Sequence, residues 1–280
     1  MKKTELVKGI SSSVLGFGCA PILGSVDAKT ALRALDCAID CGINHFDLAR
    51  SYGYGDAEGF IGKVIKNRRD DMVIASKFGI KANWKAAILK PVKPLLRGLI
   101  NNIKKQNASK PQPVVSNNIV VADRFHNRIP LNGNEMRKSL EKSLRELNTD
   151  YLDYFFIHEP LETIHEIEDL LTTADKLKAE GKIRALGLAY MRSQEHLHTA
   201  YINKFDLLQF DNSPGAPGYE DTLIKRGDKP NILFSPLRGG TTSMKPDEKL
   251  KKLFDDFQNS VILCSMFNEK HIKANAALLS

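Results

Sequence analysis

In the stretch "NHFDLARSYGYGDAEGFI" (residues 44–61) a carboxylate, Asp47, closes a short strand-like run, and a phenol, Tyr52, follows five residues later. Two further apolar runs end in polar groups: "VIASKFG" carries Lys77 and "YFFIHEP" carries His158. An ammonium buried alone at the end of an apolar strand is strongly unfavourable, so Lys77 needs a counter-charge, and Asp47 is its natural partner. A lysine charge beside a phenol favours the phenolate and lowers its pKa. Tyr52 is then a candidate general acid toward an alkoxide forming from a carbonyl, with His158 a candidate hydrogen-bond donor to the same oxygen. Each residue also has an ordinary reading: a rim ion pair for Asp47 and Lys77, packing for Tyr52, a satisfied histidine for His158. Four such residues on three consecutive strands speak against coincidence. Tyr54, the competing phenol, reads as a loop residue.

Positioning them requires strand ends that converge. Eight apolar runs predict strands at Val14–Ala20, Asn44–Leu48, Met72–Phe78, Leu152–His158, Ile183–Ala189, Leu207–Phe210, Ile232–Pro236 and Val261–Ser265. Between them lie predicted helices. Asp27–Asp40 opens on a capping Asp and stops before Gly42. Asp56–Lys66 follows the tyrosine turn, and Asn134–Leu147 sets Met136, Leu140, Leu144 and Leu147 on one face. Ile164–Glu180 stops at Gly181, and Asp247–Phe257 and Asn268–Leu279 complete the clear set. Gln194–Asn203 and Tyr219–Arg226 are shorter. Alternation of this kind over one chain of 280 residues points to an α/β fold, a single (β/α)8 barrel domain spanning residues 1–280. A doubly wound nucleotide-binding sheet would want a GxGxxG turn after a strand, and none is present.

One interval is too long for a βα loop, the excursion from Gly79 to Gly133 after the third strand. Nine basic residues stand between Lys77 and Lys110 with no Asp or Glu among them. This basic insertion is expected to carry a helix around Val92–Lys105 and an extra strand in "NNIVVADRF". The chain's net charge of +8 favours anionic partners, a phosphate-bearing or otherwise anionic small molecule among them, and the basic run reads either as a site for one or as a solvated polybasic loop. Nucleic acid is disfavoured, because Trp84 is the only aromatic between Gly79 and Phe125. Four cysteines without a CxxC give no metal pattern and read as reduced thiols of a cytoplasmic protein. No apolar run is long enough for a membrane span, and the N-terminus has no secretion signal. Oligomeric state has no sequence signal.

"GINHFDLARSYGYGDAE", "VIASKFG", "LDYFFIHEP" and "GKIRALGLAY" together resemble the aldo-keto reductase superfamily, over nearly the whole chain except the insertion. That resemblance implies a catalytic tetrad of Asp47, Tyr52, Lys77 and His158, with Tyr52 rather than Tyr54 as proton donor. It implies NADPH (NADP+) as cofactor, with NADH admissible, and reduction of an aldehyde, ketone or sugar-derived carbonyl to the alcohol. Cofactor contacts are implied at Gly18, Asp47, Gln209, Phe234, Ser235, Leu237, Arg238, Ser265, Asn268, His271 and Asn275.

The chain departs from the family in two places. Where members commonly carry Ser-Asn after the fifth strand, it has Ala189 and Tyr190, so a carboxamide contact is either lost or remade through the Tyr190 hydroxyl. Near the last strand it offers Ser265, Asn268, Lys270 and His271 instead of a Lys-Ser pair followed by Arg. Ala189–Tyr190 and the basic insertion leave room for a second reading, a nucleotide-binding regulatory or interaction barrel with little turnover. The insertion is expected to wall the substrate pocket.

Overall fold

The computed structural model describes residues 1–83, 125–240 and 243–279. An antiparallel hairpin, β1 (Lys3–Val7) and β2 (Ile10–Ser13), precedes the barrel and was not foreseen from sequence. The barrel strands begin with β3 (Leu15–Gly18), β4 (His45–Asp47) and β5 (Val73–Phe78). A short antiparallel ladder follows, β6 (Ile80–Ala82) with β7 (His126–Arg128). The barrel resumes with β8 (Leu152–His158), β9 (Ile183–Tyr190), β10 (Leu207–Asp211), β11 (Asn231–Phe234) and β12 (Ser260–Cys264). β3, β4, β5, β8, β9, β10, β11 and β12 pair in parallel and close on themselves, β12 against β3. All eight predicted barrel strands are present.

The described helices are α1 (Ala28–Asp40), α2 (Ala57–Ile65), α3 (Gly133–Leu147), α4 (Ile167–Ala179), α5 (Tyr219–Arg226), α6 (Pro246–Asp256) and α7 (Glu269–Ala277). α1 starts as the sequence predicts, with the Asp27 carboxylate accepting from Thr30 N at 3.0 Å. Gln194–Asn203, expected as one helix, is two 3₁₀ segments, Arg192–Leu197 and Ile202–Lys204. His198 sits between them, buried and bonded through Nδ1 to Tyr201 Oη at 2.7 Å. The expected helix at Val92–Lys105 and nearly all of the expected strand in "NNIVVADRF" lie outside the described residues. The described ends of the insertion meet as a ladder, Ile80 opposite Arg128 and Ala82 opposite His126. No described helix is long and apolar enough to cross a membrane.

Alternation along the strands sorts side chains into two cores. Ile74, Phe155, Ile157, Leu186, Leu188, Tyr190, Leu208 and Phe210 point outward and pack under the helices. Val73, Ala75, Tyr154, Phe156, Ala185, Ala189, Leu207, Ile232, Val261 and Leu263 fill the inside, with Leu6 and Ile10 of the hairpin packed against them. Continuing the inward period by one step along each strand reaches Asp47 on β4, Lys77 on β5, His158 on β8, Gln209 on β10 and Phe234 on β11. Strand register therefore delivers these five residues to one end of the barrel, the carboxyl end, where sites form in this architecture.

Candidate active site

Asp47 and Lys77 lie on adjacent strands and are 4% and 3% exposed, so neither charge is solvated. Lys77 Nζ donates to Asp47 Oδ2 at 2.7 Å, to Leu48 O at 2.8 Å and to Tyr52 Oη at 3.2 Å. Those three acceptors use all three ammonium hydrogens. Gln209 Nε2 donates to the other Asp47 oxygen at 2.9 Å. Burial works against the Lys77 ammonium, but the Asp47 carboxylate and the Tyr52 oxygen outweigh it and hold its pKa above the ordinary lysine range.

For Tyr52 the balance falls the other way. Burial raises the phenol, Lys77 lowers it, and burial wins, leaving the pKa at about 12. The lysine acts in the direction its position in the sequence predicts, but the fold buries the phenol deeply enough to reverse the net shift. Because Lys77 donates to the phenol oxygen, the phenol's own hydrogen is left to be given elsewhere. His158 stands edge-on to the Tyr52 ring, with centroids 6.0 Å apart. Burial, and then the Lys77 charge, push its pKa well below the ordinary value, so its ring is neutral.

The turn that carries Tyr52 is pinned by residues that drew no attention in the sequence. Tyr52–Gly55 forms a 3₁₀ turn in which Gly53 and Tyr54 both have φ of 61°. A Cβ on Gly53 would stand 2.7 Å from Ile22 O, so only glycine fits there. Arg50, nearly fully buried, pairs with the buried Glu58 at the start of α2 and donates to Glu146 of α3 at 2.9 Å. Ser76 of β5 donates to Glu58 at 2.6 Å. The visible signal was an arginine in a turn built otherwise of small and aromatic residues. Tyr54, expected as a plain loop residue, stacks on His126 with centroids 6.3 Å apart and meets Phe125 edge-on at 5.8 Å. His126 Nε2 also lies 3.0 Å from Ser51 O. The second phenol thus fastens the described end of the insertion to the Tyr52 turn.

A cavity of about 900 Å³ opens beside Asp47, Tyr52 and Lys77 and runs to His271 and Asn275 on α7. Gly18, Gln209, Phe234, Ser235, Leu237, Arg238 and Ser265 also line it, so most of the expected cofactor contacts share one space. At Gly18 any Cβ would stand 2.8 Å from Ser265 Oγ, which keeps that wall bare. Gln209 Oε1 is buried without a partner among the described residues, an acceptor that an amide N–H would satisfy. With Arg238 as a cation for phosphate and Phe234 as a flat apolar wall, the lining fits an elongated dinucleotide.

Three expected site residues stand elsewhere. Tyr190 follows the inward Ala189 by one position and therefore points outward. It is fully buried against Phe210 and His198, with its hydroxyl 3.5 Å from Glu195 Oε2. It is absent from the cavity lining, where only Ala189 represents this pair. Asn268 is consumed as the cap of α7, its Oδ1 accepting from Lys270 N at 2.9 Å, and it does not line the cavity. His158 borders a separate cavity of about 380 Å³, with Gly79, Arg128, Leu131 and Ile164 around it. Glu159, which no sequence pattern singles out, lines the larger cavity.

Neutral buried histidines have a consequence for acid stability. His45, inside the barrel, is pushed down to about 3 by burial and then by Lys77, and His158 is depressed for the same reasons. Unfolded histidines take up a proton near pH 6.5, roughly, while these stay neutral in the fold. The unfolded state therefore binds more protons below that pH, and stability falls as pH drops from about 6.5 toward the folded values. Urea midpoints are expected to fall between about pH 7.5 and pH 5, and His45→Phe is expected to flatten part of that slope.

The family model described as "Aldo/keto reductase family" matches residues 14–280. The chain is 28% identical over 187 residues to aldo-keto reductase YhdN of Bacillus subtilis (strain 168), a match covering 65% of this chain and 44% of that protein. It is 25% identical over 255 residues to the NADH-specific methylglyoxal reductase of Escherichia coli (strain K12), covering 86% of this chain and 68% of that one. In fold it superposes on the aldo/keto reductase of Klebsiella pneumoniae in complex with NADPH at a TM-score of 0.66, with 19% identity and coverage of 99% and 89%. With the barrel and its polar end in view, the match across nearly the whole chain is decisive: this chain belongs to the aldo/keto reductase family, a family of NAD(P)H-dependent oxidoreductases.

Proposed function

We propose that the chain reduces a small carbonyl compound to the alcohol using NADPH, with Tyr52 as the proton donor. The observation that carries this reading is the buried Asp47–Lys77–Tyr52 chain at the wall of a cavity large enough for a dinucleotide. When bound, the reduced nicotinamide supplies the hydride that the carbonyl carbon accepts. Gln209 would hold the carboxamide through its free Oε1, Phe234 would face the ring, and Arg238 would meet the diphosphate. Ser265, His271 and Asn275 would take the adenosine end.

Tyr52 donates its hydrogen to the oxygen as negative charge develops there, and the Lys77 ammonium already at its oxygen stabilises the phenolate left behind. Asp47 keeps Lys77 charged and aimed. His158 is neutral and edge-on to the phenol but borders the separate smaller cavity, so its expected hydrogen bond to the substrate oxygen gains no support from the described geometry. The NADH-specific E. coli relative, and the lack of the Lys-Ser and Arg group near β12, support NADH as a second cofactor. The anionic substrate suggested by the basic run gains no support from the described cavity, whose wall carries Glu159.

Thermal melting tests the cofactor half of this reading. NADPH at about a hundred times its Kd should raise Tm by about 5–10 °C, and NADH by less at equal concentration. Failure of both to raise Tm would contradict the proposed cofactor site. Equal shifts would remove the preference for NADPH while leaving the site.

A further inference from the structure

Glu159 follows His158 directly and has an unusual backbone. Its φ is +44°, in the left-handed region that a glutamate rarely enters, and it precedes Pro160, which restricts it further. The conformation is held from both sides. Glu159 N donates to Ala189 O at 2.8 Å, and Arg128 Nη1 donates to Glu159 O at 2.6 Å. Strain retained in this way clusters at functional sites, and its presence here calls for a reason.

In this conformation Glu159 lines the larger cavity, together with Asp47, Tyr52 and Lys77. Among the described residues no hydrogen bond or ion pair engages its carboxylate, although the backbone on both sides of it is tied down. The acids that act on Glu159 are spent: Asp47 on Lys77 and Gln209, and Asp211 on Arg192 N at 2.7 Å. Glu159 is therefore an unspent acceptor beside the proton-donating phenol.

We propose that Glu159 is a specificity-determining residue that selects neutral carbonyl compounds bearing a hydroxyl next to the carbonyl and disfavours those bearing a carboxylate. A substrate hydroxyl would donate to Glu159 while the carbonyl oxygen meets Tyr52. A substrate carboxylate at the same distance would meet a like charge in a partly desolvated space. This deepens the carbonyl-reductase reading and rests on it.

The charges facing Glu159 set how the selection varies with pH. Burial, the largest influence, raises its pKa above the ordinary glutamate value; Lys77 and Arg128 favour its anion, while Asp211 and Asp47 oppose it. Tyr52 is in turn raised in part by the Glu159 charge. As pH falls through that raised pKa the carboxyl becomes neutral, and discrimination against anions weakens.

The test compares glycolaldehyde with glyoxylate, which differ in carrying a hydroxymethyl or a carboxylate on the same aldehyde. The wild type should favour glycolaldehyde in kcat/KM. Glu159→Gln should narrow that preference by roughly tenfold or more, mainly through a lower KM for glyoxylate. The wild-type preference should shrink at acid pH while that of the Gln variant stays flat. An unchanged ratio in the variant, or the same pH dependence in both, overturns the proposal. A thermal-shift titration of NADP+-loaded protein with glyoxylate reads the same contrast without turnover, since the oxidised cofactor has no hydride to give: Glu159→Gln should gain affinity, and no gain overturns the role of Glu159. If neither aldehyde is turned over yet the affinity gain appears, the charge selection stands and the reductase reading fails, so the two are separable.

Discussion

Tyr52→Phe is expected to lower kcat/KM for an aldehyde by about 10²–10⁴-fold, the range over which a positioned general acid contributes. The change removes one oxygen, whose described contact is the hydrogen bond from Lys77 Nζ at 3.2 Å. The ring keeps its edge-on contact with His158 and its place 4.9 Å from Lys77 Nζ. Thermal stability and cofactor-induced melting shifts should therefore remain close to wild type. With the loss confined to the chemical step, kcat and kcat/KM should fall together, the pattern for an interaction made only in the transition state. The wild-type pH profile carries the same information. Burial holds the phenol at about 12, above its ordinary value despite Lys77, so reduction should persist through neutral and mildly alkaline pH. The alkaline fall belongs to the coupled Tyr52–Lys77 pair rather than to either group alone, and Tyr52→Phe should change it.

Lys77→Met is expected to be the more damaging substitution, since it acts on both stability and chemistry. It leaves Asp47 as a buried carboxylate whose remaining described side-chain partner is Gln209. Breaking a buried pair from one side costs about 3–5 kcal/mol, and the Gln209 bond places this case toward the lower end. Activity should fall at least as far as in Tyr52→Phe, because Lys77 lowers the phenol's pKa through both a hydrogen bond and a charge. Adding Asp47→Asn should recover part of the stability but none of the activity, since the double variant removes the orphaned charge without restoring the ammonium. The sign with pH follows from Lys77 lying above its ordinary value in the fold. Its contribution is complete below about pH 10.4, the ordinary lysine value, and is lost as pH rises through the folded one. Denaturant midpoints of wild type and Lys77→Met should thus differ by a constant amount from about pH 7 to 9.

The convergence of the polar strand ends was legible in the sequence because a strand's period of two fixes which side of the barrel each residue faces. Asp47, Lys77, His158, Gln209 and Phe234 each continue an inward series. The same rule displaces Tyr190, one step beyond the inward Ala189, but a strand's inward phase is assured only once its neighbours are known. Asn268 illustrates a different ambiguity, since an Asn before a helix serves equally as a phosphate contact or as the helix cap, and here it caps. Arg50, Glu58 and Glu146 come from three separate segments, and no local pattern announces pairs eight and ninety-six residues apart. Tyr54 found its partners in Phe125 and His126, across the insertion. Glu159 was hidden by its neighbour: "HEP" reads as a histidine motif, and a positive φ at its second residue is not written in the letters.

A single-turnover experiment with NADPH-loaded protein and excess glycolaldehyde tests Tyr52-assisted hydride reduction most directly, following reduced-nicotinamide absorbance and alcohol formed. One equivalent of nicotinamide should be oxidised and one of alcohol produced per chain, with the rate reduced by at least about a hundredfold in Tyr52→Phe. NADPH that binds and raises Tm but is not oxidised by any aldehyde, or oxidation that proceeds equally in the Phe variant, would contradict that mechanism.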